Sequence, residues 1–162
     1  MTKSCKPIEN SPLYSYNNTD DPVNHPSHYC KPGQLECIDR MEAIFGEIAV
    51  KYFCALNAYK YVERCRDKGS FKQDIEKAIW YLRKIASYTR ETKDTSNFTV
   101  TDEMYFWNTT KLLFSAQAEI SKMRFEQCIR ERDTDNYEHA AFAIGILNRV
   151  IDSYKNGENL ED

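Results

Sequence analysis

The chain has 162 residues, a length typical of one domain with a single hydrophobic core. Its 22 Lys and Arg residues and 25 Asp and Glu residues give a net charge of −3. This balance argues against sequence-specific DNA binding, because duplex-binding proteins usually carry a basic excess. Hydrophobic residues make up 41% of the chain, which is typical of a water-soluble globular protein rather than a disordered one.

The sequence also predicts where the protein resides. It has no apolar run of about 18 residues, so we expect no membrane span. The first six residues are not followed by an apolar segment, so we expect no secretory signal and a cytoplasmic location. In that reducing compartment the six cysteines are expected to remain free thiols.

All five prolines fall within the first 33 residues. Because proline removes a backbone donor and disfavours helix in the residue before it, this stretch is expected to be extended or looped. We predict a flexible segment over residues 1–20, followed by residues 21–33 ordered against the body of the protein.

Helical periodicity begins after the proline-rich stretch. The first helix is predicted over residues 35–45, ending at Gly46, and the second over residues 47–67, with Gly69 as its C-terminal stop.

The third helix is predicted to open at Ser70, which has the capping-box spacing to Gln73, and to run through residue 92. Apolar residues recur along it at helical spacing and predict its buried face. This stripe comprises Phe71, Ile75, Ala78, Ile79, Leu82 and Ile85.

A fourth helix is predicted over residues 102–132, after a polar linker, and a fifth ends before Gly157. The sequence therefore predicts an all-α bundle of about five helices. Residues 21–92 would form one region, and residues 93–162 a helical hairpin that packs on it or mediates oligomerisation. The fifth helix carries on one face Tyr137, Ala140, Ala141, Ile144, Leu147, Ile151 and Tyr154.

The second helix is the most informative stretch. Residues 48–62 are apolar or aromatic almost all round, which predicts a helix buried on most sides. A buried amide or ammonium needs a partner, a cavity or a ligand. Polar residues here share one helical face, which is compatible with a snorkelling lysine and a hydrogen-bonded asparagine, or with an anion site. The row is Asn57, Lys60, Tyr61, Arg64 and Lys68.

The third helix offers a complementary row of Asp74, Lys77 and Tyr81, which borders its apolar stripe. From this border Asp74 can form an ion pair with Lys60 or Arg64, or act on a substrate hydroxyl.

The N-terminal segment contains two of the three histidines, His25 and His28, on either side of a proline and a serine. With Cys30 and Cys37 they suggest a zinc site only weakly, because structural zinc usually has two tight ligand pairs. Capping of helix ends, or binding of a nucleotide's phosphate or base, is the preferred interpretation.

Glu36, Asp39 and Glu42 share a face of the first helix. Such carboxylates can hold Mg²⁺ for phosphate chemistry, although most acidic rows are simply solvated. The sequence has no GxxxxGK[ST] or GxGxxG loop, so a familiar phosphate cradle is absent.

Four separated motifs stand out, in chain order DPVNHPSHY (21–29), LECIDRMEAIFG (35–46), NAYKYVER (57–64) and DIEKAIWYL (74–82). Together they resemble the SaV-like proteins of bacteriophages, which are often described as phage nucleotide kinases. The C-terminal region of the nucleotide kinase of podoviruses that infect enteric bacteria looks similar. From Arg64, the last residue of the third motif, this chain reads RCRDK, where family members commonly read RAGKK.

The resemblance implies phosphoryl transfer from a nucleoside triphosphate to a deoxynucleoside monophosphate, by a kinase without a P-loop in the host cell cytoplasm. The catalytic candidates are Lys60, Arg64, Asp74 and His28. The candidates for substrate binding are His25, Tyr29, Asn57, Tyr61, Lys68, Lys77 and Tyr81, and a weaker pair for Mg²⁺ is Glu36 and Asp39.

Two other functions stay open. One is a non-catalytic phage protein that binds a nucleotide or a host factor and modulates host defence. The other is an all-α, metal-dependent nucleotide pyrophosphohydrolase.

The predicted fourth and fifth helices carry much apolar surface, so we also expect a homo-oligomer; the alternative is that they close a monomeric five-helix core.

Overall fold

The computed structural model describes residues 23, 35–67, 69–88, 104, 107–125 and 130–155, with only the backbone of residues 130–134. This part of the chain is all α-helical and has no strand, so the predicted fold class is confirmed. The five helices are α1 (Cys37–Phe45), α2 (Glu47–Arg64), α3 (Phe71–Ala86), α4 (Thr109–Lys122) and α5 (Arg130–Lys155).

Four of the helices pack in a closed ring. Going round it, α2 contacts α3, α3 contacts α5, α5 contacts α4, and α4 contacts α2, while α1 packs on α2. Each helix thereby buries an apolar face against two neighbours, as in a four-helix bundle. None of the helices in the described ranges is long and apolar enough to cross a membrane.

The buried faces of α3 and α5 follow the predicted stripes. Ile75, Leu82 and Ile85 of α3 are almost fully buried, and so are Ile144 and Leu147 of α5. Because α5 packs against both α3 and α4, most of its apolar face is buried within the chain. Much of the surface that led us to expect a homo-oligomer is therefore used inside the protein. Phe114 of α4 and Tyr154 of α5 stay 66% and 56% exposed, and the homo-oligomer stays a prediction.

Two glycines separate the first three helices as predicted. Gly46, between α1 and α2, has φ of 86°, and Gly69, before α3, has φ of 63°. These left-handed conformations suit glycine, which has no Cβ. The predicted capping box is wrong, because the Ser70 side chain makes no capping hydrogen bond.

The predicted fourth helix is too long at both ends. Asn108 caps α4 by accepting a hydrogen bond from the Lys111 backbone N–H at 2.9 Å, and α4 ends at Lys122. Beyond it, the buried Asn136 side chain of α5 bonds both the N–H and the carbonyl of Arg124, at 2.8 and 2.7 Å. A side-chain amide thus satisfies backbone groups where a continuous helix was expected.

Helix α2 is less buried than predicted. Its buried face contacts the bundle, but Tyr52, Leu56 and Tyr59 on another face are 39%, 69% and 42% exposed. The prediction that α2 is buried on most sides is therefore wrong. The lysine of α2 that is buried is Lys51, near the start of this helix, and it pairs with Glu47 at 2.5 Å.

Candidate anion-binding site on helices α2 and α3

The polar rows of α2 and α3 meet around the ring of Tyr61. The short connection between the two helices makes them an antiparallel hairpin, so the C-terminal half of α2 lies against α3. Three cationic groups approach the Tyr61 ring centroid: Arg64 at 4.4 Å, Lys60 at 4.5 Å and Lys77 at 5.7 Å. All three distances are within the range of cation–π attraction.

Arg64 is held by a bidentate ion pair with Asp74 of α3. Its Nε donates to Oδ2 at 3.0 Å and its Nη2 donates to Oδ1 at 3.1 Å. The Asp74 side chain is only 1% exposed, whereas that of Arg64 is 31% exposed. The hydrogen bond to Asp74 raises the pKa of Arg64, so the guanidinium stays charged. Two of its five N–H donors are used, and among the described residues the other three meet no acceptor.

Lys60 is held by a shorter chain of hydrogen bonds within α2. Its ammonium donates to Asn57 Oδ1 at 2.6 Å, and Asn57 Nδ2 donates to the Phe53 carbonyl at 2.8 Å. The Lys60 side chain is exposed, so the prediction that it lies in an apolar interior is wrong. Partial desolvation, together with the positive charges of Arg64 and Lys77, lowers the pKa of Lys60.

Aromatic side chains form the base of this cluster. The rings of Tyr61 and Tyr81 are stacked with centroids 5.9 Å apart and planes 17° from parallel. Phe53 and Trp80 pack edge-on against Tyr81, at 5.9 and 5.0 Å. The cations are therefore arranged on a fixed aromatic platform rather than on flexible loops.

The charge balance of the cluster is positive. Lys60, Arg64 and Lys77 bring three positive charges, and the Asp74 carboxylate pairs with Arg64. In the described part of the chain neither lysine ammonium has a carboxylate partner. Like charges this close repel one another, so an anion with several oxygens would be attracted to the cluster.

The structure brings most of the predicted site together. Phe53 and Trp80 were missed, although their positions beside Asn57 and Tyr81 on the same two helices could have indicated them. Four of the predicted residues, His25, His28, Tyr29 and Lys68, lie outside the described residues. The structure places in one cluster Asn57, Lys60, Tyr61, Arg64, Asp74, Lys77 and Tyr81.

The acidic row of α1 lies in a different place and has its own partners. Lys84 of α3 pairs with Asp39 at 3.2 Å and with Glu42 at 3.8 Å, and the Tyr88 hydroxyl donates to Glu42 at 2.5 Å. These contacts tie α1 to the end of α3. Glu36, the other candidate for Mg²⁺, directly precedes α1. Within the described ranges no group of three or more His, Cys, Asp or Glu residues could hold a metal ion.

The fold and the site therefore define an all-α bundle with a cationic, tyrosine-based cluster on one helical hairpin. Residues 23–83 match a protein family described as a protein of unknown function, DUF3310. The match covers less than half of the chain but includes every residue of the cluster. No curated protein and no solved structure gives a significant match.

Proposed function

We propose that the Tyr61 cluster binds the phosphate groups of a nucleotide, and that the protein is a phage nucleoside monophosphate kinase without a P-loop, acting in the host cytoplasm. The observation that carries the proposal is the convergence of three cations on one tyrosine ring with a single carboxylate among them. The resemblance of the surrounding motifs to phage nucleotide kinases supplies the reaction class.

The geometry suits phosphate oxygens in particular. The Asp74 pair fixes the plane of the Arg64 guanidinium, which can then present its remaining N–H donors to two oxygens at once. Lys60 and Lys77 supply two further point charges close to the same tyrosine ring. In phosphoryl transfer the protein mainly positions groups and neutralises charge, so a set of fixed cations is the part of the chemistry that this hairpin can supply.

In the proposed reaction, a phosphate oxygen of the monophosphate attacks the γ-phosphorus of the triphosphate. The bond between that phosphorus and the β–γ bridging oxygen breaks, and two diphosphates result. His25, His28, Tyr29 and Lys68 are proposed to complete the substrate site. If Mg²⁺ takes part, groups other than the pair expected from the sequence would have to hold it at the cluster, because Asp39 of that pair is bound to Lys84 near the C-terminal end of α3.

One observation favours a second function, namely nucleotide binding without turnover. The Asp74 carboxylate is buried and both of its oxygens accept hydrogen bonds from Arg64. Because it is only 1% exposed, this carboxylate is out of reach of a substrate and acts as a positioning residue for Arg64 rather than as a catalytic group. The cluster then offers cations that bind phosphate, and these are all that a non-catalytic binding protein would need.

Calorimetric titration and chromatography separate the two functions. The full chain is titrated with deoxynucleoside monophosphates and with ATP, and is then incubated with pairs of them while diphosphates are quantified. Binding together with diphosphate formation supports the kinase. Binding without diphosphate formation, for every pair of a monophosphate with ATP, supports the second function. Absence of binding to every nucleotide contradicts both.

Variants connect binding to the cluster. Replacing Lys77→Met removes one charged contact and is expected to weaken nucleotide binding by about 10-fold. The matched control is Lys72→Met, because Lys72 lies on the same helix, is exposed and pairs with Glu76 instead. Equal loss of affinity in both variants would show that general charge, not the cluster, attracts the nucleotide.

A further inference from the structure

A row of large apolar side chains on α2 remains exposed. Tyr52, Leu56 and Tyr59 follow one another at the i, i+4 and i+7 spacing of one helical face. Ile44 and Phe45, 72% and 68% exposed, end α1 directly before α2 begins. We call these five residues the α1–α2 apolar patch.

We propose that the α1–α2 apolar patch is the contact surface of a homodimer, in which α2 packs against α2 of a second copy across a two-fold axis. The proposal is independent of nucleotide binding. It places the homo-oligomer contact on α1 and α2, because most of the apolar face of α5 is buried within one chain.

The exposed area of the patch matches what a dimer needs. With about 200 Å² for a fully exposed side chain of this size, the exposed fractions correspond to about 550–600 Å² of apolar surface per copy. A standard interface buries about 800 Å² per partner, of which somewhat more than half is apolar.

The shape of the patch favours a second copy over an unrelated partner. A row at i, i+4 and i+7 is complementary to the same row on an antiparallel helix, which is the arrangement that a two-fold axis creates. Helix α2 has 18 residues and is about 27 Å long, enough for the row to be covered along its length. Two tyrosines and a leucine are well suited to the centre of such a contact, since aromatic residues are enriched in interface cores.

The dimer would bring the candidate site close to the interface. Tyr59 of the patch directly precedes Lys60 and Tyr61, and Leu56 directly precedes Asn57. Each copy would therefore place its cationic cluster at the edge of the contact.

Sedimentation equilibrium of the full chain under reducing conditions tests the proposal, over about 1–200 μM, where a weak dimer would dissociate and re-form. The expected mass rises toward twice the 19.0 kDa of one chain. Leu56→Asp and Leu56→Lys are each expected to weaken association by about 100-fold, because either charge would be desolvated in the contact. Leu56 is 69% exposed, so neither variant should unfold, and circular dichroism checks the helical content.

The control variant is Phe114→Asp, which removes an equally exposed apolar side chain on α4. It is expected to leave association unchanged. A monomeric mass at every concentration would overturn the proposal and leave the patch to another segment of this chain or to a different protein. The proposal would also be overturned if both Leu56 variants associated as tightly as the unchanged protein. It would be overturned as well if Phe114→Asp weakened association as much as the Leu56 variants do.

Discussion

The ion pair between Arg64 and Asp74 is expected to contribute measurably to stability, because it is the link that fixes the guanidinium in the candidate site. Its two hydrogen bonds are 3.0 and 3.1 Å long and connect α2 to a carboxylate that is 1% exposed. Removing one partner of a fully buried pair costs about 3–5 kcal/mol. Here the Arg64 side chain is 31% exposed and water can solvate it, so we expect a smaller cost of about 1–3 kcal/mol for Asp74→Ala.

A double-mutant cycle measures the pair itself. The single variants Arg64→Gln and Asp74→Ala and the double variant are unfolded in urea and followed by circular dichroism. We expect a coupling free energy of about 1–2 kcal/mol, with the double variant more stable than the sum of the single effects implies. A coupling below about 0.5 kcal/mol would refute the reasoning, because the buried carboxylate would then not depend on Arg64.

Three further predictions concern contacts outside the site. Tyr88→Phe removes the hydroxyl that donates to Glu42 and should lower the free energy of unfolding, measured in urea, by about 1 kcal/mol. An unchanged free energy of unfolding would argue against this contact. Although burial alone would raise the pKa of Glu119, its hydrogen bonds to Lys122 and His139 lower it below the ordinary value. Because the folded-state pKa is lowered, this stabilisation is present above the ordinary carboxyl pKa and is lost as pH falls through the folded-state value. Glu119→Gln should therefore narrow the difference in stability between neutral and acidic pH, and an unchanged pH profile would argue against this contact. Burial raises the pKa of the Cys54 thiol from 9.0 to about 12, so very little of the reactive thiolate is present at pH 8. Alkylation followed by mass spectrometry should find Cys54 protected until the protein unfolds, and rapid native labelling would contradict this.

Periodicity predicted the interior of the bundle well because burial follows from local spacing. The α3 stripe and the α5 face are each set by apolar residues at helical intervals, and the structure buries most of them. Helical spacing also places Asn57, Lys60 and Arg64 on one face of α2, and the structure brings all three into the Tyr61 cluster. That Asp74 pairs with Arg64 was one of the alternatives that the spacing left open, and the structure selects it.

The errors come from tertiary contacts that no local window contains. The end of α4 depends on Asn136 of the following helix, which lies 12 residues beyond Arg124 in sequence and hydrogen-bonds the Arg124 backbone. The exposure of Lys60 depends on which faces of α2 the other helices cover, which apolar content alone does not determine. Lys84 and Asp39 are 45 residues apart in sequence, so helical spacing could not predict the hydrogen bond between them.

A crystal structure of the protein with the nucleotide that binds most tightly in the calorimetric titration tests the central claim most directly. We predict phosphate oxygens within hydrogen-bonding distance, about 3 Å, of the Arg64 guanidinium and of at least one of the Lys60 and Lys77 ammonium groups. A nucleotide bound elsewhere on the bundle, with the cluster around Tyr61 in contact only with solvent, would contradict the claim.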